Sequence, residues 1–103
     1  MEINIKENRT DKVLVELCGE LDTAAVATFV EKMEPVMNDA GKEIILDFSP
    51  LEYISSAGMR ALLQLNKNAA AKGGSVCIKG MSEDIMQIFQ MVGFDKMFTI
   101  NPA

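Results

Sequence analysis

The sequence predicts a single α/β domain: a mostly parallel sheet of four or five strands, opened by an N-terminal β-hairpin and covered by three main helices. Two observations carry this. At the N-terminus apolar and polar residues alternate at the strand period, and further on three stretches place apolar residues at helical spacing, each followed by a short apolar run. From the second strand onward the order is therefore β-α-β-α-β-α-β, which calls for right-handed crossovers and parallel strands, with the opening strand antiparallel.

Ile3 and Ile5 alternate with Asn4 and Lys6, Arg9-Thr10-Asp11 supplies a polar turn, and Val13, Val15 and Leu17 resume the alternation. Gly19-Glu20-Leu21-Asp22 ends this second strand. Asp22 is placed to N-cap a helix with an expected inward face of Val26, Phe29, Val30, Met33, Val36 and Met37. Pro35 predicts a kink or local break late in that helix, and Asn38 to Gly41 leads into the next strand. Glu43-Ile44-Ile45-Leu46-Asp47-Phe48 reads as a strand covered on both faces, closed by Pro50. The second helix should start near Ser55 or Ser56, bury Met59, Leu62, Leu63 and Ala70, and stop near Lys72 at Gly73-Gly74. Ser75 to Lys79 is the next strand. In the last helix Ser82 is the N-cap, Glu83 and Asp84 suit the positive end of the dipole, Met81 and Met86 fit a hydrophobic staple, and Gly93 takes the C′ position. Met97 to Ile100 suggests a short final strand.

At 103 residues and 49% apolar composition, residues 1–103 form one domain, large enough for a core without disulfides or metal. A net charge of −5 with no clustering of the ten basic residues argues against nucleic acid and against an anionic membrane surface. Cys18 and Cys77 lie on different predicted strands, with no CxxC and no histidine in the chain, so both read as buried free thiols, and neither a metal nor a cofactor is expected. The start Met1-Glu2-Ile3-Asn4-Ile5-Lys6 lacks the features of a signal peptide, and no stretch has the length of a membrane span. A cytoplasmic protein is expected.

Chemistry concentrates at Leu51-Glu52-Tyr53-Ile54-Ser55-Ser56-Ala57-Gly58-Met59-Arg60, where a strand hands over to a helix. Without histidine a Ser-His nucleophile is excluded, and neither Ser-x-x-Lys, Gly-x-Ser-x-Gly nor a phosphate-cradling glycine motif surrounds the serines, so the chain is not expected to be an enzyme. Two readings of Ser56 stand side by side. It can simply cap the helix, or it can carry a phosphoryl group that the helix start receives without unfolding the domain. Asp22 and Asp47 fall at strand ends on the same rim, as an N-cap and a solvated strand end or as part of the same site. Gly58, costly in a first helical turn, leaves the backbone bare for another surface to approach. Met33, Met37 and Met86 read as core; Met59, beside Ser56 and Gly58, reads as a contact residue.

Gly19-Glu20-Leu21-Asp22 and Ile45 to Met59 together resemble the STAS domain of bacterial anti-sigma factor antagonists, with the likeness extending over nearly the whole chain. That family typically shows Gly-Glu-Leu-Asp after its second strand and Asp-Ser-Ser/Thr-Gly-Leu at its second helix, the first serine of the motif being phosphorylated. Matched position by position, the resemblance implies phosphorylation of Ser56, with Ser55 the alternative, and makes Asp22 a switch residue. Ser55 stands where the family has aspartate, Ala57 where it has Ser or Thr, and Met59 where it has Leu. The implied partner surface comprises Leu21, Asp22, Thr23, Ser55, Ala57, Gly58, Met59 and Arg60. The implied partners are an anti-sigma factor serine kinase of the histidine-kinase-like ATPase fold, which the bare form binds so that the sigma factor is freed, and a PP2C-type serine phosphatase that reverses the mark. A monomer is expected in the free state. The other function such a domain can serve is that of a constitutive subunit, for example in a lipid-transport complex, with Ser56 only a cap.

Overall fold

Val13, Val15, Leu17 and Leu21 are fully buried while Leu14, Glu16 and Cys18 between them are half-exposed, the alternation of a strand with one face in the core. These residues belong to β2 (Lys12–Leu21), which β1 (Glu2–Asn8) flanks antiparallel from Glu2–Cys18 to Asn8–Val13, with a register shift between Ile5 and Glu7. The computed structural model describes residues 1–38 and 41–101, apart from the side chains of Met37 and Asn38. The further elements are α1 (Val26–Asn38), β3 (Glu43–Asp47), β4 (Leu51–Ile54), α2 (Ser56–Ala71), β5 (Ser75–Lys79), α3 (Glu83–Val92), a 3₁₀ turn (Phe94–Lys96) and β6 (Thr99–Asn101).

The main sheet runs β1-β2-β3-β5-β6, every pair but the first being parallel, and β4 pairs with β2 alone. This is the α/β architecture expected, with three helices and one further short strand. One core holds Val13, Val15, Leu17, Ile44, Leu46, Val76 and Ile78 of the sheet together with Phe29, Met33 and Val36 of α1, Leu62, Leu65 and Ala69 of α2, and Ile85 and Phe89 of α3. The helices therefore cover one face. Ile45 on the other face is only half-buried, which corrects the expectation that β3 is covered on both sides: its apolar run combines a core-facing pair with one outward residue.

Helix phases differ from expectation at particular positions. In α1 Val30 is 54% exposed, because the buried stripe is narrower and consists of Phe29, Met33 and Val36. The helix continues through Pro35 without a break; Glu31 and Pro35 both lie on the exposed side, where water can hydrate the carbonyl that loses its N–H partner. The placement of Met37 in the core and the connection from Asn38 to Gly41 lie partly outside the described residues. In α2 the buried residues are Gly58, Met59, Leu62, Leu65 and Ala69, so Leu63 is half-buried and Ala70 exposed. Gly73 and Gly74 end this helix as expected, their N–H groups donating to Ala70 and Ala69 carbonyls at 3.1 and 2.8 Å.

Both caps of α3 follow the sequence reading: Ser82 Oγ accepts from the Ile85 N–H at 3.3 Å, and Gly93 closes the helix at φ 80°. Met81 and Met86 are half-buried. Phe89 is the hub of an aromatic cluster, its ring 6.2 Å from Phe48, 5.9 Å from Phe94 and 5.9 Å from Phe98. It ties α3 and the chain after it to the end of β3. Cys18 is half-buried and Cys77 buried, both free. Desolvation raises the pKa of both thiols, with the hydrogen bond and charge of Glu16 adding to the rise at Cys18, so both stay protonated and weakly reactive at neutral pH.

Phe89→Ala is expected to cost about 3–5 kcal/mol, read as a lower denaturant midpoint, since the residue is fully buried and its ring cannot be replaced by collapse of three aromatic neighbours. A loss below ~1 kcal/mol would contradict its role as the hub.

Candidate functional site: the start of helix α2

Three turns build this site. Asp47 Oδ1 accepts from the N–H and hydroxyl of Ser49 at 3.0 and 2.7 Å, and the Leu51 N–H donates to the Phe48 carbonyl at 2.8 Å, which closes a tight turn after β3. Asp47 thus acts as a turn former at its strand end. The chain then crosses to β2, where β4 pairs as Gly19–Leu51, Glu20–Tyr53 and Leu21–Ile54. Immediately beyond, the Ser55 N–H donates to the Leu21 carbonyl at 2.9 Å, so the residue before α2 is bonded to the residue before Asp22. On the β2 side, Asp22 Oδ1 accepts from the Ala25 N–H at 2.9 Å and caps the turn that leads into α1.

The two serines have different tasks. Ser55 is the N-cap of α2: its backbone is extended, its hydroxyl accepts from the Gly58 N–H at 3.0 Å, and its carbonyl takes the first helical bond, from the Met59 N–H at 2.9 Å. Ser56 occupies the first helical position, exposed to solvent, with no side-chain hydrogen bond among the described residues. This settles the cap reading in favour of Ser55 and corrects the assignment of the cap to Ser56. The N–H groups of Ser56 and Ala57 precede the first intrahelical bond, and the first turn of α2 contains no acidic residue.

Gly58 is a close-approach residue, but for the chain's own backbone. A Cβ there would lie 2.6 Å from the Leu21 carbonyl oxygen, 2.9 Å from Leu21 Cγ and 3.1 Å from Ile54 Cγ1. The expectation that an outside surface uses this gap is thereby corrected: the end of β2 fills it. Leu21, Gly58 and Met59, expected in the contact surface, are all buried and support the site from below. Thr23, Ser56 and Arg60 are exposed, and Asp22, Ser55 and Ala57 half-exposed. The sequence reading left out Glu20, Glu52 and Tyr53. Tyr53 is 47% exposed on β4, and with Asp22 the two glutamates line an open depression of about 400 Å³ beside the site. What brings them together is the pairing of β4 with the end of β2, which four residues of sequence are too short to announce.

Among the described residues no set of three His, Cys, Asp or Glu side chains could hold a metal ion, and no helix is long and apolar enough to cross a membrane. The geometry presents an accessible, uncommitted hydroxyl at a helix start whose N-cap is bonded to the strand end that precedes Asp22. Ser55→Ala should therefore cost about 0.5–2 kcal/mol in equilibrium unfolding while Ser56→Ala stays within ~0.5 kcal/mol. Equal losses would contradict the division between them. Gly58→Ala should destabilise by about 1–3 kcal/mol despite the better helix propensity of alanine, because the Leu21 carbonyl is held by Ser55 and cannot withdraw.

The chain is similar to two proteins named anti-sigma-B factor antagonist. The Bacillus subtilis protein is 23% identical over 99 residues, which are 96% of this chain and 89% of the relative. The Staphylococcus aureus protein is 26% identical over 102 residues, 98% of this chain and 94% of the relative. The fold is also that of SpoIIAA, an anti-sigma factor antagonist solved in its unphosphorylated form, with a TM-score of 0.78 at 22% identity over 99% of this chain and 89% of that one. The same protein is known in its phosphorylated form, again at a TM-score of 0.78 and 22% identity, over 99% of this chain and 91% of the other. A family model of the STAS domain matches residues 2–103, and the chain belongs to the STAS domain family.

Proposed function

We propose that this protein is an anti-sigma factor antagonist, a regulatory binding protein without catalytic activity that acts in the cytoplasm. In its bare form it binds an anti-sigma factor serine kinase of the histidine-kinase-like ATPase fold through the exposed start of α2 and the turn after β2, and the sigma factor is released. The kinase transfers the γ-phosphoryl group of ATP to Ser56 Oγ, releasing ADP and a proton, and the phosphorylated protein leaves. A PP2C-type phosphatase hydrolyses the ester and restores the binding form.

The single observation that carries this reading is the contrast between the two serines: Ser55 is committed to the cap, and Ser56 stands exposed with its hydroxyl unused. A phosphoryl group at Ser56 meets the positive end of α2 and so disturbs the fold little. For a docked partner the same group is costly, since a dianion must be desolvated beside Asp22. The names of the relatives support the general role.

Incubation of the protein with the anti-sigma factor kinase of its own host and ATP should label Ser56, with labelling lost in Ser56→Ala and kept in Ser55→Ala. Ser56→Asp should weaken kinase binding by about 100-fold, equivalent to ~3 kcal/mol. Unchanged binding of Ser56→Asp would instead favour a constitutive interaction subunit, and labelling that survives Ser56→Ala would overturn the site.

A further inference from the structure

Arg60 lies four residues beyond Ser56 on α2, one turn away on the same side of the helix, and both are exposed. No carboxylate shares that stretch: the positions three and four residues to either side of Arg60 are Ala57 and Ser56, Leu63 and Gln64. Among the described residues the ion pairs join Lys6 to Glu16 and Arg9 to Glu7, and Arg60 takes part in neither. Side chains on a helix lean toward its N-terminus, and the arm of an arginine is long enough to reach back from position 60 over the turn that begins at Ser56. The order is also the favourable one, with the anion N-terminal to the cation.

We infer that Arg60 is the built-in counter-ion of the phosphorylated state, folding back to pair with the phosphoryl oxygens on Ser56. This rests on Ser56 being the modified residue. A guanidinium matches phosphate oxygens through paired N–H donors, whereas the unmodified hydroxyl offers it no charge to hold. Asp22, Glu20 and Glu52 line the depression by the turn after β2 and none of them lies on α2, so Arg60 is the charged side chain one turn from Ser56 on the same helix face. Phosphorylation then acts twice on the partner surface. It adds a dianion, and it draws an exposed arginine out of the set of groups open to a partner.

The test uses full-length protein with phosphoserine incorporated at position 56 during translation and follows the second ionisation of the phosphate by ³¹P NMR. Arg60→Gln should raise that midpoint by roughly 0.3 pH unit at low salt, the size of an exposed helical ion pair, and Arg60→Lys should raise it less. High salt should remove most of the difference. Equal midpoints for the parent and Arg60→Gln at low salt overturn the inference. Because the phosphoserine is installed without a kinase, this result stands apart from the switch itself, which kinase labelling and binding of the unmodified protein report separately.

Discussion

The 2.9 Å hydrogen bond from the Ser55 N–H to the Leu21 carbonyl is the constraint on which the site depends. It continues the pairing of β4 with the end of β2 by one residue, at the point where both strands give way to helices or their lead-in turns. Because that carbonyl is fixed, α2 can pack against it only where a side chain is missing, and Gly58 provides the gap. The outcome is a rim where Asp22 and the two serines are neighbours although more than thirty residues separate them in the chain. Buried Leu21, Ile54 and Met59 hold the arrangement from the core side.

On this foundation the chemistry is one of placement. Ser55 satisfies the Gly58 N–H that a helix start leaves without an intrahelical partner, and in doing so it frees Ser56 from any structural duty. A residue that is exposed and structurally idle can be modified without loss of fold, and one at a helix terminus changes the local field sharply when it is modified. The family motif has aspartate where this chain has Ser55. A serine there keeps the cap while leaving the first turn of α2 itself free of acidic side chains, so a phosphoryl group on Ser56 meets no carboxylate within that turn.

Much of this was legible in the sequence, for physical reasons that differ by element. The alternation in β2, the caps of α3 and the glycine stop of α2 are local signals, each set by residues within a few positions of one another, and they predicted the observed structure. The motif around Ser56 was likewise local. What escaped were features decided by packing partners distant in the chain. Leu51 to Ile54 is too short to announce a strand, and only its contact with β2 makes it one. The phase of α2 was misjudged because Leu63 and Leu65 are equally apolar, and the sheet's position selected Leu65. Met59 and Leu21 were expected at the surface because they flank the site, yet neighbouring in sequence is not sharing a face. Ser55 and Ser56 could each have been the cap by composition, and backbone geometry chose between them.

The central claim, that Ser56 is a phosphorylation switch on an otherwise unchanged domain, is tested most directly by intact mass and phosphosite mapping of the protein isolated from its native host, before and after phosphatase treatment. The account predicts a single phosphatase-sensitive phosphate, located on Ser56, in a form that no longer co-purifies with a serine kinase. A phosphate on Ser55, or none under any growth condition, would contradict it.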